Sequence, residues 1–235
     1  RNAVGVALAC ASAGIIIGAI TLTGLGLKLG NGLVELAGGN LLLTLIFTMI
    51  TSLILGMGVP TTANYIITST IAAPALIQLG VHPLAAHMFV FYFGIVADIT
   101  PPVALAAYAG SGIAKSNPFW TGVTSTKLAI GAFLTPYIFI YNTSMLWINT
   151  TWYAMIQTLI TSCAGMTAIG AAMIGFFVAP MNWLERILFI AGGLLLVDPG
   201  TITDVMGLGL LAACVAFQYR KKRAGAVSTA TTADA

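Results

Sequence analysis

The longest uncharged stretch of this sequence constrains its fold most strongly. No Asp, Glu, Lys or Arg lies between Glu35 and Asp98. Over all 235 residues only 6% are charged and 59% are hydrophobic, whereas about a quarter of the residues in a soluble domain are charged. The apolar runs lack the sustained alternation of β-barrel strands, so they favour helices. We therefore expect an all-α integral membrane protein.

Two of the apolar segments contain residues that break a helix. The first break, "GMGVPTT", is residues 56–62 within the segment 41–79. Gly56 and Gly58 allow the backbone angles that end a helix, and Pro60 cannot donate a backbone hydrogen bond. Each arm has about 16–18 residues, roughly 24–27 Å of helix, which is marginal for a full span. The segment is therefore predicted to be a helical hairpin with this break at its tip.

The second break, "DITPP", is residues 98–102 in the middle of the segment 84–114. Pro101 and Pro102 remove two backbone donors. A helix over the whole segment would measure roughly 46 Å, so we expect one full crossing as a discontinuous transmembrane helix. Asp98 lies halfway along it, and a carboxylate at that depth must face protein, water or a cation.

Both breaks free backbone groups that lipid cannot satisfy, so they must be buried in protein or line an aqueous cavity. Carbonyls that end the first halves carry partial negative charge and can coordinate Na⁺. Amides that start the second halves, near Thr61–Ala63 and Val103–Ala104, carry partial positive charge and can hold a carboxylate. Thr61 or Thr62 is expected to cap the helix after the first break. Paired discontinuous helices of this kind indicate the binding site of a secondary transporter.

The remaining segments complete the predicted organisation. A transmembrane helix is expected over 1–27, followed by a short polar loop. The second arm of the hairpin is expected as one helix over 62–79. Further transmembrane helices are expected over 127–219, including one at 150–179. Residues 220–235 are predicted to form a basic and then disordered cytoplasmic tail.

The basic residues indicate the orientation. If the first helix starts in the cytoplasm, every Lys and Arg except Lys28 lies inside. A reversed first helix with a re-entrant 84–114 segment puts Lys28 inside and Arg1 outside, and it fits the charges equally well. The length of 84–114 favours the first topology.

Other classes of function find little support in the sequence. The net charge of +3 comes mainly from 220–223, so no nucleic-acid partner is expected. An intramembrane enzyme needs a Ser/His pair, an aspartate pair or a metal cluster, whereas this chain offers one deep aspartate and no HExxH. His82 and His87 have no Cys or carboxylate cluster beside them, and the three cysteines are interpreted as packing residues.

Several long motifs resemble one family of membrane proteins. The segments "ITLTGLGLKL", "LILGMGVPTTANYIITSTIAAPAL", "PLAAHMFVFYFGIVADITPPVALAAYAGSGIA" and "LERILFIAGGLLLVDPG" resemble the C-terminal half of TRAP transporter permeases. They are most similar to the fused type, in which the small subunit and the large, DctM-like subunit form one polypeptide. The resemblance covers roughly residues 1–215.

The resemblance implies a Na⁺-driven importer of organic acids in the bacterial or archaeal inner membrane, with a cytoplasmic C-terminus. It implies a hairpin at 41–79 and a discontinuous helix at 84–114, which move together like an elevator. This favours the first topology. The implied partners are an extracytoplasmic substrate-binding protein, the N-terminal half of the permease and the small-subunit helices. No second "GMGxPTT" or "TPPV" occurs here, and the chain starts at Arg1, so we expect a piece of a longer polypeptide.

The implied site residues fall into two groups. Those predicted to bind Na⁺ are Gly56, Gly58, Val59, Thr61, Asp98 and Thr100. Those predicted to bind the carboxylate substrate are Pro60, Thr62, Asn64, Pro101 and Pro102. No cofactor other than the coupling ion is expected. Two alternatives stay open: a proton-coupled carrier that uses Asp98, and a structural membrane module that binds nothing.

Overall fold

The computed structural model describes residues 11–12, 14–16, 18–20, 22–197 and 200–233, and most of these residues lie in helices. Within these ranges the β structure is limited to an isolated bridge between Phe176 and Pro180. The predicted all-α fold is therefore confirmed. The helices are α1 (Leu25–Leu36), α2 (Leu41–Gly56), α3 (Thr61–Ile71), α4 (Ala73–Gln78), α5 (Pro83–Val96), α6 (Leu105–Ala114), α7 (Pro118–Leu128), α8 (Ile130–Tyr141), α9 (Trp152–Ile174), α10 (Trp183–Val197) and α11 (Thr201–Ala233).

Two helical stretches in the described part are long and apolar enough to cross a membrane alone, Trp152–Ile174 and Ile202–Lys222. The count rises to as many as four if each of two bent pairs is one span. These pairs are Gly14–Ile20 with α1, bent by 69°, and α7 with α8, bent by 41°. Shorter apolar helices occur at α2, Pro83–Ile99 and α6.

The chain divides into two compact units. The first contains the described residues up to Thr126 together with Thr135–Leu146, and the second contains Lys127–Leu134 and the described residues from Trp147 onward. In the first unit α2 and α3 pack against each other and against α5. In the second unit α10 packs against both α9 and α11.

Small residues bring helices close together in each unit. On α2, residues Thr44, Thr48, Ser52 and Gly56 recur every fourth position and are all buried. Such a stripe of small side chains allows a close helix approach in a membrane protein. In the second unit a Cβ on Gly165 would lie 2.7 Å from the Gly193 carbonyl oxygen, so α9 and α10 meet there nearly backbone to backbone.

The helix limits differ from expectation where glycine or proline decides the geometry. The expected loop after residue 27 is helical as far as Leu36, and the break lies earlier, at Gly24, whose φ is +64°. The segment expected as one helix over 62–79 divides at Ala72, because Pro74 lacks the N–H and disfavours helical geometry before it.

The C-terminal part of the chain shows two further differences. Helix α9 stops at Gly175, with φ of +84°, rather than near residue 179. Helix α11 continues to Ala233, where the small polar composition predicts disorder. The alanines of this segment favour the helix, because alanine has the highest intrinsic helix propensity of any residue.

Candidate functional site

The first break forms a tight turn between α2 and α3. Helix α2 ends at Gly56, and Gly58 takes a left-handed φ of +73°. Helix α3 begins at Thr61 with Pro60 as its N-cap, and no side chain caps it. The expected threonine cap is therefore wrong, because Thr61 and Thr62 are already inside the helix. The first amides of α3 have no partner within the helix, and both threonines are exposed.

The second break is longer and is held by local hydrogen bonds. Helix α5 ends at Val96, a 3₁₀ turn covers Ala97–Ile99, and α6 begins at Leu105. The Thr100 hydroxyl donates to the Val96 carbonyl at 2.7 Å. The Tyr108 hydroxyl donates to the Pro102 carbonyl at 2.7 Å.

The helix after the second break starts later than predicted. The sequence places its first amides at Val103 and Ala104, whereas Ala104 is the N-cap of α6 and has a left-handed φ of +37°. The Ala104 amide donates to the Thr100 carbonyl at 3.1 Å, so it is occupied. The unpartnered amides of α6 therefore belong to the turn that starts at Leu105.

The two breaks border one open cleft of about 470 Å³ in the first unit. The residues that line it are Gly58, Val59, Pro60, Asp98, Leu105 and Ala106. Four of these are residues singled out in the sequence, from both breaks. Thr61 and Thr62 follow Pro60 directly, whereas Thr100, Pro101 and Pro102 lie outside the lining.

Two of the predicted residues lie behind the tip instead of on the cleft. Gly56 is buried, and Asn64 is only 2% exposed. The Asn64 side chain packs between Gly56 and Gly94 of α5. A Cβ on Gly56 would lie 2.9 Å from Asn64 Nδ2, and one on Gly94 would lie 2.7 Å from the same atom. The Asn64 Oδ1 is buried without a hydrogen-bond partner.

The cleft carries both signs of charge. The starts of α3 and α6 contribute partial positive charge. Asp98 contributes a carboxylate that is half-buried. The single ion pair found among the described residues joins Lys221 to Glu185, so no basic side chain there neutralises Asp98. The described residues also contain no group of three His, Cys, Asp or Glu placed to hold a metal ion.

The sequence comparison assigns the chain to a family. Residues 1–154 match the family model described as "Tripartite ATP-independent periplasmic transporter, DctM component". The chain belongs to the DctM family. No curated protein matches the chain, and no solved structure does.

The DctM match includes both breaks and every lining residue of the cleft. The match makes the chain a membrane component of a TRAP-type transporter. The DctM family consists of transporter components and is not an enzyme family. Membership also implies association with a substrate-binding protein and with other membrane subunits. Together with the apolar helices, it identifies a multi-pass membrane protein.

Sequence reasoning missed three residues at this candidate site. Leu105 and Ala106 line the cleft because α6 starts after a left-handed Ala104. No sequence pattern predicts this conformation of Ala104. Gly94 carries a signal that was available. It lies one helical turn before Asp98 in an otherwise bulky stretch, "FYFGIVAD", and an isolated glycine in a membrane helix marks a close backbone approach.

Proposed function

We propose that this chain is the Na⁺-coupled, carboxylate-translocating part of a binding-protein-dependent importer. The observation that carries the proposal is the shared cleft, in which the tip residues 58–60, Asp98 and the start of α6 meet. A structural module has no need to bring two broken helices together around an open cavity. Irregular backbone at membrane depth is tolerated when it lines a water-filled space, and transporters bind ions and substrates at such places.

The starts of α3 and α6 supply the proposed carboxylate site. Each start presents amides with no partner in its own helix, and aligned amides bind anions. The exposed hydroxyls of Thr61 and Thr62 offer further donors beside Pro60. Pro101 and Pro102 act indirectly in this proposal, since they hold the break open ahead of Leu105 without lining the cleft.

Oxygen atoms at the ends of the first halves supply the proposed Na⁺ site. The carbonyls near Gly56 and Asp98 end α2 and the 3₁₀ turn, where helix carbonyls lack partners. Thr100 uses its hydroxyl hydrogen on Val96, which leaves its oxygen lone pairs for a cation. The buried Oδ1 of Asn64 has no partner, so we assign Asn64 to the ion site and not to the substrate.

The cleft also fits the elevator-like movement that the family resemblance implies. Helices α2, α3 and α5 pack on one another, so the hairpin and the first half of the broken helix can shift as a unit. The remaining part of the permease would then serve as the static scaffold.

A proton-coupled carrier is the second candidate, because Asp98 borders the cleft without an ion-pair partner among the described residues. Uptake by the complete transporter in proteoliposomes, with its binding protein and the acid that this protein carries, separates the two functions. Sodium coupling predicts uptake that follows an imposed Na⁺ gradient and persists when a proton uncoupler is added. Uptake that follows a proton gradient and ignores Na⁺ would support the second candidate.

The same assay tests the site. Replacing Pro60→Ala and Thr61→Ala together should reduce uptake severalfold. Thr70→Ala is a matched control, because Thr70 lies on the same helix and its hydroxyl bonds the Ile66 carbonyl within that helix. Equal uptake in the double variant and the control would refute the assignment of the tip.

A further inference from the structure

The second unit contains an apolar groove that shares no lining residue with the cleft. It has a volume of about 460 Å³ and is lined by α9, the segment after it, α10 and α11. Its lining includes Thr167, Phe177, Phe189, Leu208, Ala212 and Val215. The hydroxyl of Thr167 is already bonded to the Cys163 carbonyl at 2.7 Å, so the groove offers its occupant almost no hydrogen-bonding group.

One end of this groove is basic. Helices α9 and α11 run in the same direction along α10, because Gln157 bonds Asp204 near their starts and Glu185, at the start of α10, bonds Gln218 near the middle of α11. On α11, Leu208, Val215 and Lys222 follow at intervals of seven residues. They therefore share one face of the helix, with a drift of only about 20° per step.

Arg186 lies at the same end of the groove. It stands one turn before Phe189 on α10, and its guanidinium occupies the space where a Cβ on Gly175 would lie. Arg186 has no ion-pair partner among the described residues. The neighbouring carboxylate, Glu185, pairs with Lys221 at 3.2 Å. A half-buried guanidinium and an exposed lysine thus remain available beside an apolar groove.

We propose that this groove binds a phospholipid with an anionic headgroup, with one of its acyl chains between α9 and α11 and its phosphate between Arg186 and Lys222. Basic pockets between membrane helices recognise such headgroups on the cytoplasmic side, and the positive-inside rule places this end there. The size of the groove argues against a helix as the occupant. A helix about 10 Å across would fill this volume with a single turn, whereas a single alkyl chain fits it.

The experiment uses the full-length protein in detergent, titrated with phosphatidylglycerol or with phosphatidylcholine of the same acyl chains. Native mass spectrometry counts the bound lipid, and the thermal midpoint is followed in parallel. Phosphatidylglycerol should bind more tightly and raise the midpoint more. Equal binding of both lipids would overturn the proposal, and so would equal binding of glycerol phosphate, which has no acyl chain.

Two matched pairs of variants locate the site. Lys222→Gln should weaken phosphatidylglycerol binding about fivefold, while Arg220→Gln, about 200° away around the same helix, should leave it unchanged. Ala212→Phe fills the groove and should abolish retention of the lipid, while Ala213→Phe, also exposed but outside the lining, should not. The proposal fails if both members of either pair behave alike, or if Ala212→Phe instead removes a dimer from the spectrum.

Discussion

A Cβ added to Gly56 would lie 2.7 Å from the carbonyl oxygen of Gly94. The end of the first hairpin arm therefore rests directly on the backbone of α5, one turn before the 3₁₀ break that contains Asp98. This contact ties the two breaks of the chain together. The cleft between them depends on a close approach that only glycine allows at both positions.

Replacing Gly56→Ala should therefore destabilise the protein. The new methyl group meets backbone and the buried Asn64 side chain, and overpacking of this kind costs typically about 1–3 kcal/mol. The thermal midpoint of the purified full-length protein in one detergent measures the effect. Gly32→Ala is the control, because nothing lies within 4 Å of a Cβ at this helical position, and it should leave the midpoint unchanged or raise it. A Gly56→Ala midpoint at or above that of the control would show that the close approach does not occur.

Replacing Asp98→Asn separates the two candidate coupling ions. A Na⁺ site built mainly from carbonyl and hydroxyl oxygens should keep Na⁺-driven uptake, at a raised Na⁺ requirement. Loss of all ion-driven uptake, together with retained exchange of substrate, would instead indicate proton coupling through Asp98. The control is Asp204→Asn, a change of the same size at a residue that hydrogen-bonds Gln157 outside the cleft, and its uptake should match the parent protein.

Replacing Asn64→Leu tests the ion site without transport. Leucine keeps roughly the volume of asparagine but removes the unpartnered Oδ1. Ligand binding to the folded state alone raises stability, by about 1.4 kcal/mol when Na⁺ is at ten times its dissociation constant. We expect Na⁺ to raise the midpoint of the parent protein relative to choline and to lose this effect in the variant. An equal Na⁺-dependent shift in both proteins would remove Asn64 from the ion site.

The two breaks that border the cleft could be predicted from the sequence, whereas other features of the candidate site could not. The positions of the breaks follow from Gly58, Pro60 and the Pro101–Pro102 pair, because glycine and proline restrict the backbone locally. The burial of Asn64 does not follow from the sequence. Its polarity suggests a contact with a ligand, and only tertiary packing places the side chain behind the tip. The start of α6 at Leu105 depends on a left-handed alanine, which local propensity opposes.

The polar cluster of the second unit gives a prediction about stability. Glu185 accepts hydrogen bonds from the Asn182 amide at 2.8 Å and from Gln218 Nε2 at 2.7 Å, and Gln218 is completely buried. Glu185→Ala leaves the buried Gln218 Nε2 without a partner, which costs about 1–3 kcal/mol, whereas the exposed Asn182 can turn its amide to water. The midpoint should fall by several degrees, whereas Glu35→Ala at an exposed position should leave it unchanged. Similar midpoints for the two variants would show that the cluster does not hold α10 to α11.

The most direct test of the account is protection of the cleft by its ligands. In a full-length protein with its native cysteines replaced, Ala106→Cys puts a thiol on the cleft lining, and Ala109→Cys puts one on an exposed part of the same helix outside it. The rate of modification by a charged methanethiosulfonate reagent is measured with choline, with Na⁺, and with Na⁺ plus the substrate-loaded binding protein. Na⁺ and substrate together should slow the reaction at position 106 severalfold and leave the rate at position 109 unchanged. Equal rates at position 106 under all three conditions would contradict the account.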